Sequence, residues 1–352
     1  MTSIITSLTT TQIAGLSTVS FSHLTTTDID ALATTQMAVV KATQMNVLNS
    51  TDMQEFAATQ IAALSPSVMS LLLAAQMQAF TSTQISEFTT TEISVLTSTQ
   101  TGALSSTQLL GLTTTLEAAL TTTQVAGLTT TALNNLSTTA IGALATTQVN
   151  ALTSTQLAGL SSTNIGAIDV TTLTTTQVGN LSTTALNKLT STQAGLLVTT
   201  QVAALTTTQL NGLTSTNIDQ LDVTQLTTTQ VSGLTATAVQ NLSTTQVSNL
   251  NASQIGKLSV AGVNALNTTE IGALDTNQSG ALTSTQIAGM STTNFGALSA
   301  TTGIPNLSTT AIGSLTTSEI NALTTTQGNA FTTTQIEAMS AGVLDALVVL
   351  VG

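Results

Sequence analysis

The chain has 352 residues, of which 5% are charged and 2% aromatic, and it contains no Cys, Trp, Tyr or Arg. Its only basic side chains of fixed charge, Lys41, Lys188 and Lys257, leave almost nothing to replace the counterions of a phosphate backbone, which excludes nucleic-acid binding. The 15 carboxylates, spread from Asp28 to Asp345, give a formal charge of −12, and with 41% apolar residues the composition is not that of a disordered chain, so folding is expected.

In chain order, Met1 to Leu16 has neither a basic segment nor a continuous apolar run, so a cleaved secretory signal is not expected there. From Leu8 onward a bulky apolar residue recurs at every eighth position: Leu16, Leu24, Leu32, Val40, Leu48, Phe56, and so on to Ile168. A five-residue step, Ile168-Asp-Val-Thr-Thr-Leu173, shifts the register, and a second, Leu221-Asp-Val-Thr-Gln-Leu226, shifts it again. A nine-residue step from Leu298 to Leu307, containing Gly303 and Pro305, is the third irregularity. The chain then runs Leu307, Leu315, Leu323, Phe331, Met339, Leu347.

Leu120 to Gly127, Leu-Thr-Thr-Thr-Gln-Val-Ala-Gly, is the consensus octad, and its sixth position is again apolar, as at Ile13, Phe21, Ile29 and Met37. Apolar residues three apart share a helix face, whereas residues five apart lie on opposite faces of a strand, so the spacing favours very short helices. Taking the second residue as N-cap makes the fifth N3. Ser/Thr-x-x-Gln is then a capping box, and the flanking apolar residues form a hydrophobic staple. Leu152-Thr-Ser-Thr-Gln-Leu157 contains every part, and Glu92, Glu270, Glu319 or Asp28 replaces Gln elsewhere. Each helix is expected to end near a Gly or Asn such as Gly127, Gly159 or Asn249 in a left-handed cap. One or two turns cannot stand alone, so neighbouring repeats must stack. The expected fold is an all-α solenoid over 1–352, with a Met/Phe-rich part at 1–96, regular octads at 97–340 with steps at 169–173, 222–226 and 299–307, and an apolar tail at 341–352. The rival is a β-solenoid, which Thr and Val favour and in which stacked polar side chains form ladders.

Met37, Met45, Met53, Met69 and Met77 fit a more adaptable core near one end, and a converging Met metal site is not expected. His23, in Ser20-Phe-Ser-His-Leu24, stands beside a hydroxyl, but hydroxyls are everywhere in this chain and the pairing carries no catalytic information. No triad, zinc site, phosphate loop or dinucleotide motif is present, so no catalytic, cofactor or metal residue is nominated and no enzyme is expected. Asp28 with Asp30 and Asp219 with Asp222 are the only close carboxylate pairs of note, and a weak calcium site there is outweighed by solvated caps and turns. Asn-x-Ser triplets such as Asn135-Leu-Ser137 and Asn180-Leu-Ser182 arise from the repeat itself. The tail is too short to span a bilayer.

The runs Leu-Thr-Thr-Thr-Gln-Ile/Val-x-Ala/Gly-Leu resemble the Thr/Ser-rich short repeats of large bacterial surface and secreted proteins, adhesin-like and filament-like ones among them, over nearly the whole chain. That resemblance implies export and a structural or adhesive role. Ala341 to Gly352 looks like an uncleaved C-terminal type I secretion signal, although the calcium-binding nonapeptides that accompany such tails are missing; the alternative is a cap on the last coil or a joint to a next subunit. The expected function is an extracellular structural protein that partners itself in a filament, sheet or surface coat. The alternative is a module whose exposed Thr ranks bind ice or carbohydrate at a cell surface.

Overall fold

The structure, a computed structural model, describes residues 3–352. Among the described residues there are short helices and no strand, so the solenoid is all-α. Every α-helix before the last has four to six residues, as in Thr10–Gly15 and Thr34–Met37, and the last, Ala341–Val351, has 11. The chain divides into two compact units, Met1–Leu173 and Thr174–Gly352, and the division falls at the end of the first register step.

The helix starts follow the octad as expected. Thr121, in extended geometry, accepts the Gln124 N–H on its hydroxyl while Gln124 Oε1 accepts the Thr121 N–H at 2.7 Å. The two bonds satisfy donors that a helix start otherwise leaves open. Val125 and Leu128, the apolar residues that follow, are both buried. Where the N-cap is Ala33, Ala57, Ala145 or Val198, no side-chain acceptor exists, and the N3 glutamine alone holds the N-cap N–H.

The helix ends differ from the expectation. No residue with positive φ occurs among the described residues, so neither Gly nor Asn forms a left-handed cap. Instead Gly127 is the last helical residue and Leu128 leaves in extended geometry. The small residues serve close approach. A Cβ on Gly159 would stand 2.3 Å from Thr130 Cγ2, and one on Gly256 would stand 2.9 Å from the Ala281 carbonyl oxygen.

Within each unit the helices wind into stacked coils in which each helix packs on the third one after it. In the first unit Thr10–Gly15 meets Thr34–Met37, which meets Ala58–Ile61; in the second, Thr175–Asn180 meets Thr199–Ala204. The N3 glutamine locks this stack through its second end. Gln124 Nε2 donates to the carbonyls of Ile93 and Leu96, 31 and 28 residues earlier, and Gln209 does the same to Val178 and Leu181. One amide therefore caps its own helix and clamps the preceding coil. Substitutions separate the two tasks: Asn217 is shorter and keeps the clamp, reaching Leu186 and Leu189, whereas Glu92 keeps the cap, taking the Thr89 N–H on Oε2, and has no amide donor for the clamp. A second, outer clamp uses Asn at the seventh octad position. Asn134 Nδ2 donates to the Gly159 carbonyl and its Oδ1 accepts the Ser161 N–H; Asn264 repeats this with Gly289 and Ser291.

The Asp-Val-Thr steps are shortened octads. Val170–Thr172 and Val223–Gln225 form single 3₁₀ turns, each opened by an aspartate whose Oδ1 accepts the N–H and hydroxyl of the second residue on. Val223–Gln225 keeps a full helix's place in the stack, packing on Thr199–Ala204 and on Thr244–Asn249. Clamps that span it shorten accordingly, Gln230 reaching Val202 and Leu205 at 28 and 25 residues. The nine-residue step also ends in a 3₁₀ turn, Ile304–Asn306, with Pro305 inside it.

Met37, Met45, Met53, Met69 and Met77 are each 0% exposed, and Phe80 meets Phe88 edge to face at 5.4 Å. The Met/Phe-rich part is thus core. In the second unit Ala194 takes a position usually held by Val or Ile, and a cavity of about 10 Å³ opens among Leu186, Leu189, Leu197, Leu205 and Leu213. Ala194→Val restores the common residue beside this space. It is expected to raise stability by about 0.5–1 kcal/mol, read as a higher urea midpoint; a lower midpoint would show the coil to be fully packed already.

Candidate functional site

No arrangement of nucleophile and base forms around His23. Its Nδ1 lies 2.7 Å from the Val19 carbonyl, and the Ser22 hydroxyl donates to that same carbonyl at 3.0 Å, so both groups close the end of Thr18–Phe21. The Ser22–His23 approach is 3.4 Å, with the hydroxyl proton already directed elsewhere.

The carboxylate pairs are likewise bound into local structure. Asp28 accepts hydroxyls from Ser3 at 2.6 Å and Thr25 at 2.7 Å, and these bonds, Ser3 first, hold its pKa below the ordinary value. Asp222 accepts from Thr224 and Gln225, and the Thr224 hydroxyl lowers its pKa most. No group of three or more His, Asp or Glu side chains able to hold a metal exists among the described residues.

Thr121, Thr122 and Thr123 are all exposed, but only the first lies in extended geometry; the other two open a helix and point about 100° apart. The three threonines of one octad therefore do not share one flat face. The asparagine of Asn135-Leu-Ser137 donates to the Ser106 hydroxyl at 2.6 Å and so joins one coil to another.

Two exposed apolar features stand out. In the first unit, Val47, Leu71 and Leu73 are 40%, 64% and 55% exposed, and Asn46 ties them together by bonding the Leu71 carbonyl and the Leu73 N–H. In the second, the helix Ala341–Val351 buries Val343 and Leu347 against Thr317–Ile320 and Thr325–Gly328, and leaves Leu344, Val348 and Val349 outside. Its seat is prepared by Gly328, which stands where other octads carry Val or Ile. A Cβ there would meet Val351 Cγ1 at 2.6 Å and Leu350 Cδ2 at 3.0 Å. The tail helix is therefore docked on the helices before it. No helix of the described residues is long and apolar enough to cross a membrane.

The fold is that of a helical repeat protein in which N3 glutamines and outer asparagines bond coil to coil. Residues 117–154 and 260–292 each match the model of the ALTTAQ repeat, which places a recognised repeat in both units. No curated protein matches the chain.

Proposed function

We propose that the protein is a non-catalytic structural protein that works outside the cell and associates with copies of itself into a filament, sheet or surface coat. The observation that carries this reading is the double use of the N3 glutamines. Gln36, Gln60, Gln100 and Gln156, spread through the first unit, each spend both ends of the amide on backbone groups, one at their own cap and one on a preceding coil. That use of polar groups to hold form is what a scaffold requires. Charged side chains are sparse, 15 carboxylates and three lysines in 352 residues, so contacts between copies need bury few of them. The apolar groups left exposed, Leu71 with Leu73 and Val348 with Val349, supply surface of the kind that contacts between copies bury. Contacts between two different surfaces do not close, so they propagate. The resemblance to Thr/Ser-rich bacterial surface repeats supports the extracellular setting, and the tail fits export by a C-terminal signal.

Light scattering of purified protein over rising concentration, with and without calcium, followed by negative-stain electron microscopy, tests the association. Growth into ordered particles is expected. Strictly monomeric protein at high concentration under both conditions would refute it. Fractionation of the host with an antibody against the chain tests the location, and a wholly cytosolic signal would refute export.

A further inference from the structure

One octad of the first unit reverses the usual order. In Leu112 to Ala119 the N3 position holds Leu116 and the N4 position, apolar in most octads and a small hydroxyl residue at Thr101 and Ser279, holds Glu117. Its counterparts Ile93, Val125 and Ile141 are core residues, and Glu117 is placed as they are, 4% exposed, with Oε2 buried and unbonded. The helix Thr114–Ala118 packs on Thr90–Val95 and on Thr138–Gly142. The first of these brings Glu92, whose Oε1 is also buried without a partner, and the second brings no titratable group. No cationic side chain lies on any of the three helices, and Lys41, the one lysine of this unit, is exposed. A carboxylate in such a place is desolvated with nothing to compensate it, whereas a neutral carboxylic acid is not.

We propose that Glu117 makes the packing of Thr90–Val95, Thr114–Ala118 and Thr138–Gly142 a pH-sensitive joint, closed while its carboxyl is neutral and loosened when it ionises. Burial pushes the Glu117 pKa up from 4.5 to about 7. The folded state therefore binds more protons than the unfolded chain between these values. The stabilisation is fully present below pH 4.5, falls as pH rises, and is lost above about pH 7. The joint would let the first unit respond to a change between mildly acidic and neutral pH while the clamped coils on either side stay formed.

Hydrogen–deuterium exchange of the intact protein at pH 5.5 and 8.5, corrected for intrinsic rates, tests this against Glu117→Gln and Glu117→Val. In the wild type, protection within the three helices is expected to fall about tenfold or more on going to the higher pH. Both variants should hold constant protection, as should Ala236–Gln240 and Val260–Ala265 of the second unit in all three proteins. An infrared titration of the wild type provides a readout that does not depend on the variants folding. A carboxylic-acid carbonyl band that persists to near pH 7 is expected. Wild-type protection that is independent of pH, an equal fall in Glu117→Gln, or the absence of that band would each overturn the joint.

Discussion

Gln124→Ala is expected to destabilise the protein by about 3 kcal/mol, among the largest effects of any single polar substitution in the chain. The Gln124 side chain is 1% exposed and makes three bonds: it accepts the Thr121 N–H and donates to the Ile93 and Leu96 carbonyls. Truncation leaves the Thr121 N–H and the Leu96 carbonyl facing a cavity without a partner, while the Ile93 carbonyl keeps the Leu96 N–H, and each buried unpaired polar group costs about 1–3 kcal/mol. Gln12→Ala is the matched control. Gln12 makes the same cap to Thr9 but is exposed and clamps no coil, so about 0.5–1 kcal/mol is expected. Urea unfolding of the two variants measures the difference. Equal losses would mean that the coil clamp contributes nothing beyond the cap.

Gly328→Val is expected to undock the terminal helix. The new methyls would occupy the space held by Val351 Cγ1, at 2.6 Å from the first added carbon, and by Leu350 and Leu347 behind it. Overpacking of this kind costs about 1–3 kcal/mol, comparable with what a docked helix that buries only Val343 and Leu347 gains. Thermolysin, which cuts before apolar residues, should then clip the tail at least tenfold faster than in the wild type. Gly342→Ala, in the same helix with nothing within 4 Å of the added carbon, should instead stabilise it by about 0.5–1 kcal/mol. An unchanged cleavage rate in Gly328→Val would show that the tail shifts without leaving.

Because Glu117 controls only its own joint, the pH response of the molecule is expected to be two-sided. On the acid side, Asp28 and Asp222 have lowered pKa values, so the stability their caps contribute is lost as pH falls through them. As pH rises from 4.5 to about 7, a second loss follows, and it comes from one buried carboxyl.

How much of this is legible in the chain differs by level. The octad period, the N-cap at position two, the box at position five and the staple across them all follow from contacts within six residues, and the helices begin where those residues place them. The helix ends are not legible in the same way, because Gly suits a left-handed cap and also suits a crowded contact, and only a neighbour some 25 residues away distinguishes the two. Leu116-Glu117 is a similar case. The reversed pair is visible as a departure from the repeat at a core position, but its consequence depends on what surrounds the carboxyl.

Sequence by itself determined the unit of structure, since capping and periodicity are local and each octad carries its own instructions. It also bounded the function, because a chain with three lysines, no cysteine and a single histidine lacks the groups for most reaction chemistry. Tertiary structure decided what the second end of each glutamine holds, how a five-residue step fills an eight-residue place, and that Gly328 is the seat of the tail. These depend on which coil lies 25–31 residues away, a distance fixed by how short helices pack and not by any residue within the octad.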